Sequence, residues 1–306
     1  MSVIVVGSFI TDCIATCKVA PKGGETVRGL SFNTYLGGKG ANQAVASIRM
    51  GSDTIMMGAV GDDNFGHAFI DCLKKEGFDT KYIVVDKTNP TGTSLVTVEE
   101  SGQNRIVMTP GANFTYDYKV LKNYEEEIKN ANCVVTQCET TLDVVVELSR
   151  LCKKHNVKYI VNPASALKLP DEVLNGLYLL TPNENELGIQ IGKNPETMEE
   201  YIEGAKEMLK KGVQNVIVTL GTNGSLLVNN EGSYHCPSFK VKAVDTLGAG
   251  DSFTGSLSAM IDQGYSIKDA MKVATAVAGL EVQKPGGIPA MPYKEEVFKF
   301  LEKEGK

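Results

Sequence analysis

Two glycine-rich runs in this sequence carry residues able to hold anions or move protons. The first, Asp245-Thr-Leu-Gly-Ala-Gly-Asp251, precedes the apolar spacing Phe253, Leu257, Met260 and Ile261. That spacing predicts a helix to about Gln263, closed by Gly264. Gly248 and Gly250 let a ligand approach the backbone closely. The free amides and positive dipole end of the following helix favour an anion there. Asp251 at that end reads two ways: a plain N-cap, or a base beside a phosphate cradle formed by Gly248, Ala249 and Gly250. The second run, Leu36-Gly-Gly-Lys-Gly-Ala-Asn-Gln-Ala44, feeds a helix expected over Ala41–Met50 and stopped by Gly51. Phe253 stands where GxGxxG needs its third glycine, and neither GxxxxGK[ST] nor GxSxG occurs. Dinucleotide-dependent redox chemistry, a P-loop and a hydrolase elbow therefore lose their support.

Two further pieces follow apolar runs that read as strands. Thr181-Pro-Asn-Glu-Asn-Glu186 sets Asn183 and Glu186 one helical turn apart, so they either help to hold hydrated magnesium beside phosphates or cap a helix. Thr219-Leu-Gly-Thr-Asn-Gly224 either wraps a nucleotide or is an ordinary turn. Strand ends are where open α/β sheets bind ligands.

The elements that must position these residues alternate along the chain. Val3–Gly7, Thr54–Val60, Cys133–Gln137, Lys158–Asn162, Leu177–Thr181, Asn215–Leu220 and Ser225–Asn229 read as strands, mostly apolar on successive positions and so buried on both faces. Gly66–Glu76, Val120–Asn130, Leu142–His155 and Met198–Lys211 read as helices between them. The expected fold is α/β, a doubly wound and largely parallel sheet in one domain over 1–306. Residues 13–36 and 93–108 instead alternate apolar and polar, which predicts a small antiparallel sheet. Beside a ligand crevice such a sheet is either a lid, with Gly23-Gly24 and Gly37-Gly38 as hinges, or an ordinary edge hairpin.

With 306 residues the chain can bury about three quarters of its unfolded surface without disulfides or structural metal. A net charge of −6 argues against nucleic acid as a partner. The apolar runs are too short to span a membrane, and no basic residue precedes the first of them as in a secretory signal. Seven cysteines without CxxC spacing read as reduced thiols of a cytoplasmic protein. Three separated histidines make no zinc site.

Taken together, Gly7-Ser-Phe-Ile-Thr-Asp12, Gly37–Ala44, Asn162-Pro-Ala, Thr181-Pro-Asn-Glu, Val218-Thr-Leu-Gly221 and Val244–Asp251 resemble the ribokinase (PfkB-type) sugar kinase family, in order and spacing over nearly the whole chain. The run Gly37–Ala44 is closer to the ribose-phosphorylating branch than to fructokinases or adenosine kinases. The resemblance implies ATP-dependent phosphorylation of D-ribose at O5, with Asp251 as base and Gly248, Ala249 and Gly250 as anion hole. It places Asp12, Gly38, Lys39, Asn42 and Glu139 on the sugar. Asn183, Thr219, Gly221, Gly224, Gly250 and Thr275 fall on ATP, and Asn183 and Glu186 near Mg2+. It further implies a lid that covers the sugar and pairs two subunits as a homodimer.

The resemblance also implies activation by a monovalent cation, potassium best. A helix expected over Ile267–Gln283 ends at Lys284-Pro-Gly-Gly, leaving carbonyls without intrahelical partners. Carbonyls of Leu247, Glu281, Lys284, Gly286 and Ala290 would complete an oxygen cage with Asp245; otherwise Asp245 only caps its loop. Residue identity at 281, 284 and 290 would then matter little. One position departs from the family. Bacterial-type members commonly carry Asn two residues before the aspartate matching Asp12, where this chain has Ile10. That leaves room for deoxyribose, beside the alternatives of another sugar, a nucleoside, or a catalytically silent sensor. The intact base and cradle argue against silence.

Overall fold

A computed structural model describes residues 2–165 and 167–305. The chain opens with β1 (Val3–Val6), β2 (Ile10–Cys17), β3 (Gly29–Gly37), α1 (Lys39–Arg49), β4 (Thr54–Gly61), α2 (Asn64–Lys75), β5 (Ile83–Asp86), β6 (Gly92–Glu99) and β7 (Asn104–Thr109). It continues with α3 (Glu125–Asn130), β8 (Cys133–Gln137), α4 (Leu142–His155), β9 (Lys158–Asn162), α5 (Asp171–Leu174), β10 (Leu179–Leu180), α6 (Glu184–Ile191), α7 (Met198–Lys210) and β11 (Asn215–Thr219). The last elements are β12 (Ser225–Asn229), β13 (Gly232–Cys236), α8 (Ala249–Asp262), α9 (Ile267–Glu281), α10 (Gly287–Ala290) and α11 (Lys294–Lys303).

Nine strands form the large sheet in the order β13-β12-β11-β10-β9-β8-β1-β4-β5. Pairings from β5 to β11 are parallel, and β12 and β13 close one edge antiparallel. Alternation along β1 shows why both faces need helices. Val3 and Val5 belong to the core layer that holds Val45 of α1, Phe253 and Leu257 of α8 and Met271 of α9, whereas Ile4 and Val6 belong to the layer that holds Leu148 of α4 and Met208 of α7. Chain order reverses at β1, which lies between β4 and β8, so the crevice at its C-terminal end is the switch point.

The small sheet has the order β3-β2-β6-β7. Its outer pairs are antiparallel, as alternation led us to expect, but β2 and β6 run parallel across its middle. The long excursion through α1, β4, α2 and β5 makes that possible, because parallel neighbours need a crossover rather than a hairpin. Gly23-Gly24 lies in the connection within this sheet, between β2 and β3; only Gly37-Gly38 stands where the sheet joins the core. The expected helix over Val120–Asn130 divides into a 3-10 segment, Tyr118–Tyr124, and α3, whose first turn holds Glu125, Glu126 and Glu127 at the favourable dipole end. All seven cysteines are unpaired, and no helix among the described residues is long and apolar enough to cross a membrane.

Candidate active site

At the switch point the end of β1 meets the start of α1. Ser8 donates its hydroxyl to Glu139 Oε2 at 2.6 Å, bridging the ends of β1 and β8. The same oxygen accepts the Lys39 amide at 3.3 Å, and Lys39 Nζ lies 3.9 Å from Glu139 Oε1. Gly38 caps α1 with φ 84°, and a Cβ there would stand 2.6 Å from the Ile10 nitrogen. Only glycine permits this docking. Asp12, on β2, accepts the Ser94 hydroxyl from β6. A Cβ on Gly37 would sit 3.0 Å from Asp12 Oδ2 and 3.8 Å from Asn42 Oδ1, so the two side chains flank one point.

α8 enters the crevice from the opposite side. Gly248 is its N-cap, with φ 94° and no side-chain bond. Among the described residues the amides of Gly250 and Asp251 have no acceptor, while the Ala249 amide reaches Thr246 O at 3.4 Å. A Cβ on Gly250 would meet nothing within 4 Å. Open amides at a helix N-terminus beside open space suit a phosphate. The expected cradle thus gains the Asp251 amide, and the Ala249 amide is its most committed member.

Asp251 is 7% exposed. Asn42 Nδ2 donates to its Oδ2 at 3.0 Å and Gln43 Nε2 to its Oδ1 at 3.1 Å. Burial pushes its carboxyl up from the ordinary value of 3.8, against Lys39, Asn42 and Gln43, which favour the charged form. Lys39 is held above its usual range mainly by Asp251, with Glu139, Glu186 and Asp12 adding to it against burial. Burial also raises Asp12, opposed by the Ser94 hydroxyl. One ammonium therefore serves a ring of carboxylates, an arrangement expected of a site rather than a scaffold.

Asn183 and Thr219 face one another across a parallel bridge at the ends of β10 and β11. Asn183 and Glu186 form a capping box: Asn183 Oδ1 accepts the Glu186 amide at 2.8 Å and Glu186 Oε2 accepts the Asn183 amide at 2.9 Å. Glu186 Oε1 carries no bond among the described residues, so one carboxylate oxygen fits a hydrated Mg2+. No group of three or more His, Cys, Asp and Glu side chains there forms an all-protein metal cage. Gly221 lies open, with nothing within 4 Å of a Cβ, whereas one on Gly224 would strike Cys236 O at 2.0 Å, so the turn admits only glycine at 224. Thr275 is not turned to the crevice. Its hydroxyl donates to Met271 O at 2.8 Å within α9, beneath Ser225 and Cys236.

Asp245 does cap its loop, accepting the amides of Leu247 and Gly286, each at 3.0 Å. The Glu281 carbonyl, one of the expected cage oxygens, accepts the Lys284 amide at 3.0 Å. The Glu281 side chain is the surprise. It is 1% exposed, neither oxygen has a partner among the described residues, and Oε1 would lie 3.0 Å from a Cβ on Gly248. Burial, then Asp245 and Asp251, push its carboxyl up to about 9. A buried carboxyl without a partner among the described residues, close to Gly248 at the start of α8, fits a cation, and would add a side-chain oxygen at 281 to the expected carbonyls.

Sequence reasoning singled out neither Ser8, Ser94 nor Gln137. A hydroxyl or amide at a strand end carries no local signal until the opposing strand is known. Gln43 stood within a quoted run, unassigned.

The pfkB family carbohydrate kinase model matches residues 1–294. The ribokinase of Schizosaccharomyces pombe is 37% identical over 97% of this chain and 96% of its own length. A deoxyribokinase of Salmonella typhi is 33% identical over 98% and 99%. The structure of Arabidopsis thaliana ribokinase complexed with ribose and ATP superposes with a TM-score of 0.94, at 31% identity and 98% coverage of both chains. Family model, near-full-length relatives and superposition agree with one another, and the chain belongs to the pfkB family of carbohydrate kinases.

Proposed function

We propose that this protein phosphorylates D-ribose at O5 with ATP, giving D-ribose 5-phosphate and ADP. The observation that carries the reading is the buried Asp251 carboxylate standing next to open amides at the start of α8. Asp251 accepts the proton of the primary hydroxyl as that oxygen attacks the γ-phosphoryl group. Charge spreading over the transferring oxygens is met by the amides of Gly250 and Asp251, with Gly248 and Ala249 shaping the turn, and by Lys39. Phosphoryl transfer asks chiefly for such positioning and charge stabilisation. Asp12, Glu139 and Asn42 offer acceptors and a donor in fixed directions, as a polyol requires. The Gly38 backbone shapes the sugar side. Asn183, Thr219, Gly221 and Gly224 border the nucleotide; Mg2+, held through Glu186 and the phosphates, would neutralise phosphate charge.

Ile10, two residues before Asp12 on the same face of β2, gives deoxyribose a specific claim as second substrate, and a deoxyribokinase stands among the relatives. An apolar neighbour leaves no buried polar group unpaired when a sugar hydroxyl is missing. A sugar panel with ATP, scored by ADP release and product identity, tests both. Ribose is expected to be best, with appreciable deoxyribose turnover that Ile10→Asn reduces. ADP release with neither pentose overturns the assignment.

The small sheet is proposed as a lid over the sugar that pairs with a second copy. Exposed Leu30, Phe32, Leu95 and Val107, on one face of the sheet, supply apolar surface for that contact. Potassium activation is proposed through Asp245, Glu281 and neighbouring carbonyls, tying α9 to the anion-hole loop. Potassium at constant ionic strength should raise both rate and melting temperature. A response equalled by tetramethylammonium overturns the cage. Unpaired cysteines suit a cytoplasmic setting.

A further inference from the structure

Behind Asp251 runs a chain of buried amides. Thr181 O, a group that only accepts, takes Asn162 Nδ2 at 2.6 Å and thereby turns Asn162 Oδ1 toward Gln43. Gln43 Nε2 meets that oxygen at 3.2 Å and, with its other hydrogen, Asp251 Oδ1 at 3.1 Å. Gln43 Oε1 is then left to accept Gln137 Nε2, at 2.6 Å. Each direction follows from the one before. Reversing the Gln43 amide would set its oxygen against two acceptors and its nitrogen against a donor.

Gln43 and Gln137 are fully buried, and Gln137 Oε1 has no partner among the described residues. Gln137 thus holds its amide nitrogen on Gln43 while its own oxygen stays without a partner among the described residues. Buried amides kept for packing alone gain nothing from such an orphan, which costs free energy in a dry interior.

We propose that Gln43 is a positioning residue for Asp251, fixing one carboxylate oxygen as an acceptor, and that Gln137 and Asn162 lock Gln43 in the donating direction. The proposal rests on the reading of Asp251 as the base. It ties the orientation of a residue on α8 to the ends of β8, β9 and β10 through a side chain on α1. With Asn42 on the other oxygen, the carboxylate is gripped on both sides and turns its remaining lone pairs to the crevice.

The test compares Gln43→Leu and Gln137→Leu with the unaltered enzyme. Gln43→Leu should lower kcat by roughly ten- to a hundredfold, since a bond to a charged group is lost, with KM for sugar and ATP changed by no more than about twofold. The acidic limb of kcat/KM should move to higher pH, because the charged form of Asp251 loses a donor. The charged groups that also face Asp251 are Lys39 on α1, Glu139 after β8, Asp12 on β2, Glu186 on α6 and Glu281 on α9, and none is altered by either substitution. Gln137→Leu should shift both quantities the same way by less, because the donor remains but loses its lock. Unchanged kcat and acidic limb in a folded Gln43→Leu enzyme overturn the proposal, whatever happens to the melting temperature. If Gln43→Leu does not fold, unchanged kcat in Gln137→Leu overturns it. Full turnover in Asp251→Asn would instead remove the base reading itself.

Discussion

The two glycine-rich helix starts look alike in sequence and are used in opposite ways. At α1 the amides are already spent: Lys39 on Glu139, Gly40 on Ser8 Oγ at 3.4 Å and Ala41 on Ser8 O at 3.0 Å. At α8 the amides of Gly250 and Asp251 remain open. The glycines differ in the same sense. A Cβ on Gly40 would stand 2.4 Å from the Gly7 carbonyl carbon, whereas one on Gly250 would meet only space. Glycine at α1 lets a helix dock on a strand end; glycine at α8 leaves room for something the chain does not supply. One start therefore presents side chains alone, and the other presents open backbone amides beside Asp251. The pair forms a site because Asn42 and Gln43 of α1 grip Asp251 of α8.

Substitutions can break that division of labour. The largest effect is expected from Asp251→Asn, which keeps the size of the side chain and removes the base. Turnover should fall at least ~10²-fold with the fold intact, although the new NH2 group then faces one of the two amide donors. Near-normal turnover would take the chemistry away from α8 altogether.

Gly250→Ala separates the two kinds of glycine. No positive φ requires glycine at 250, so alanine should stabilise α8 by roughly 0.5–1 kcal/mol. The added methyl would occupy the space beside the amides, and misplacing the phosphate there should lower kcat/KM for ATP by about tenfold to a hundredfold. A more stable and fully active variant would show that the space is not used.

Gly40→Ala should do the reverse. Its methyl has to push the end of β1 away, costing about 1–3 kcal/mol in denaturant unfolding, and any activity loss should follow from displaced Lys39 and Asn42. Unchanged stability would mean that the junction of α1 and β1 gives way easily.

The smallest effect is on pH dependence. Burial raises the Asp251 carboxyl, so it is protonated, and unable to accept a proton, up to a higher pH than a free aspartate. The limb over which kcat/KM rises with pH should therefore centre above 3.8. A centre at or below that value would place the carboxylate in a wetter setting than the crossing of α1 and α8 provides.

The order of strands and helices was legible in the residues, because burial on both faces of a parallel strand leaves a continuous apolar run and a helix leaves a 3.6-residue repeat. Ser225–Asn229 and Leu142–His155 fall where their patterns put them. Leu177–Thr181 shrinks to the two residues Leu179–Leu180, since pairing partners rather than hydropathy set a strand's length. The glycines that open a helix marked Asp251 as a candidate base, and the family resemblance pointed to Lys39 and Asn42; the structure brings the three together in one crevice. Thr275 and Glu281 could not be sorted this way: one hydroxyl turns back onto its own helix, and one carboxyl is left without a partner.

Periodicity by itself determined the α/β architecture, and the motifs, through the family they resemble, determined the kinase family and marked Asp251 as the candidate base. These are local properties, written in residue type and spacing. Only the tertiary structure decided which amides stay open, which glycines make room and which buried amides orient Asp251. Hydrogen-bond donors are claimed or left free by partners up to a hundred or more residues away, and that competition is settled only when the strand ends and the two helices meet.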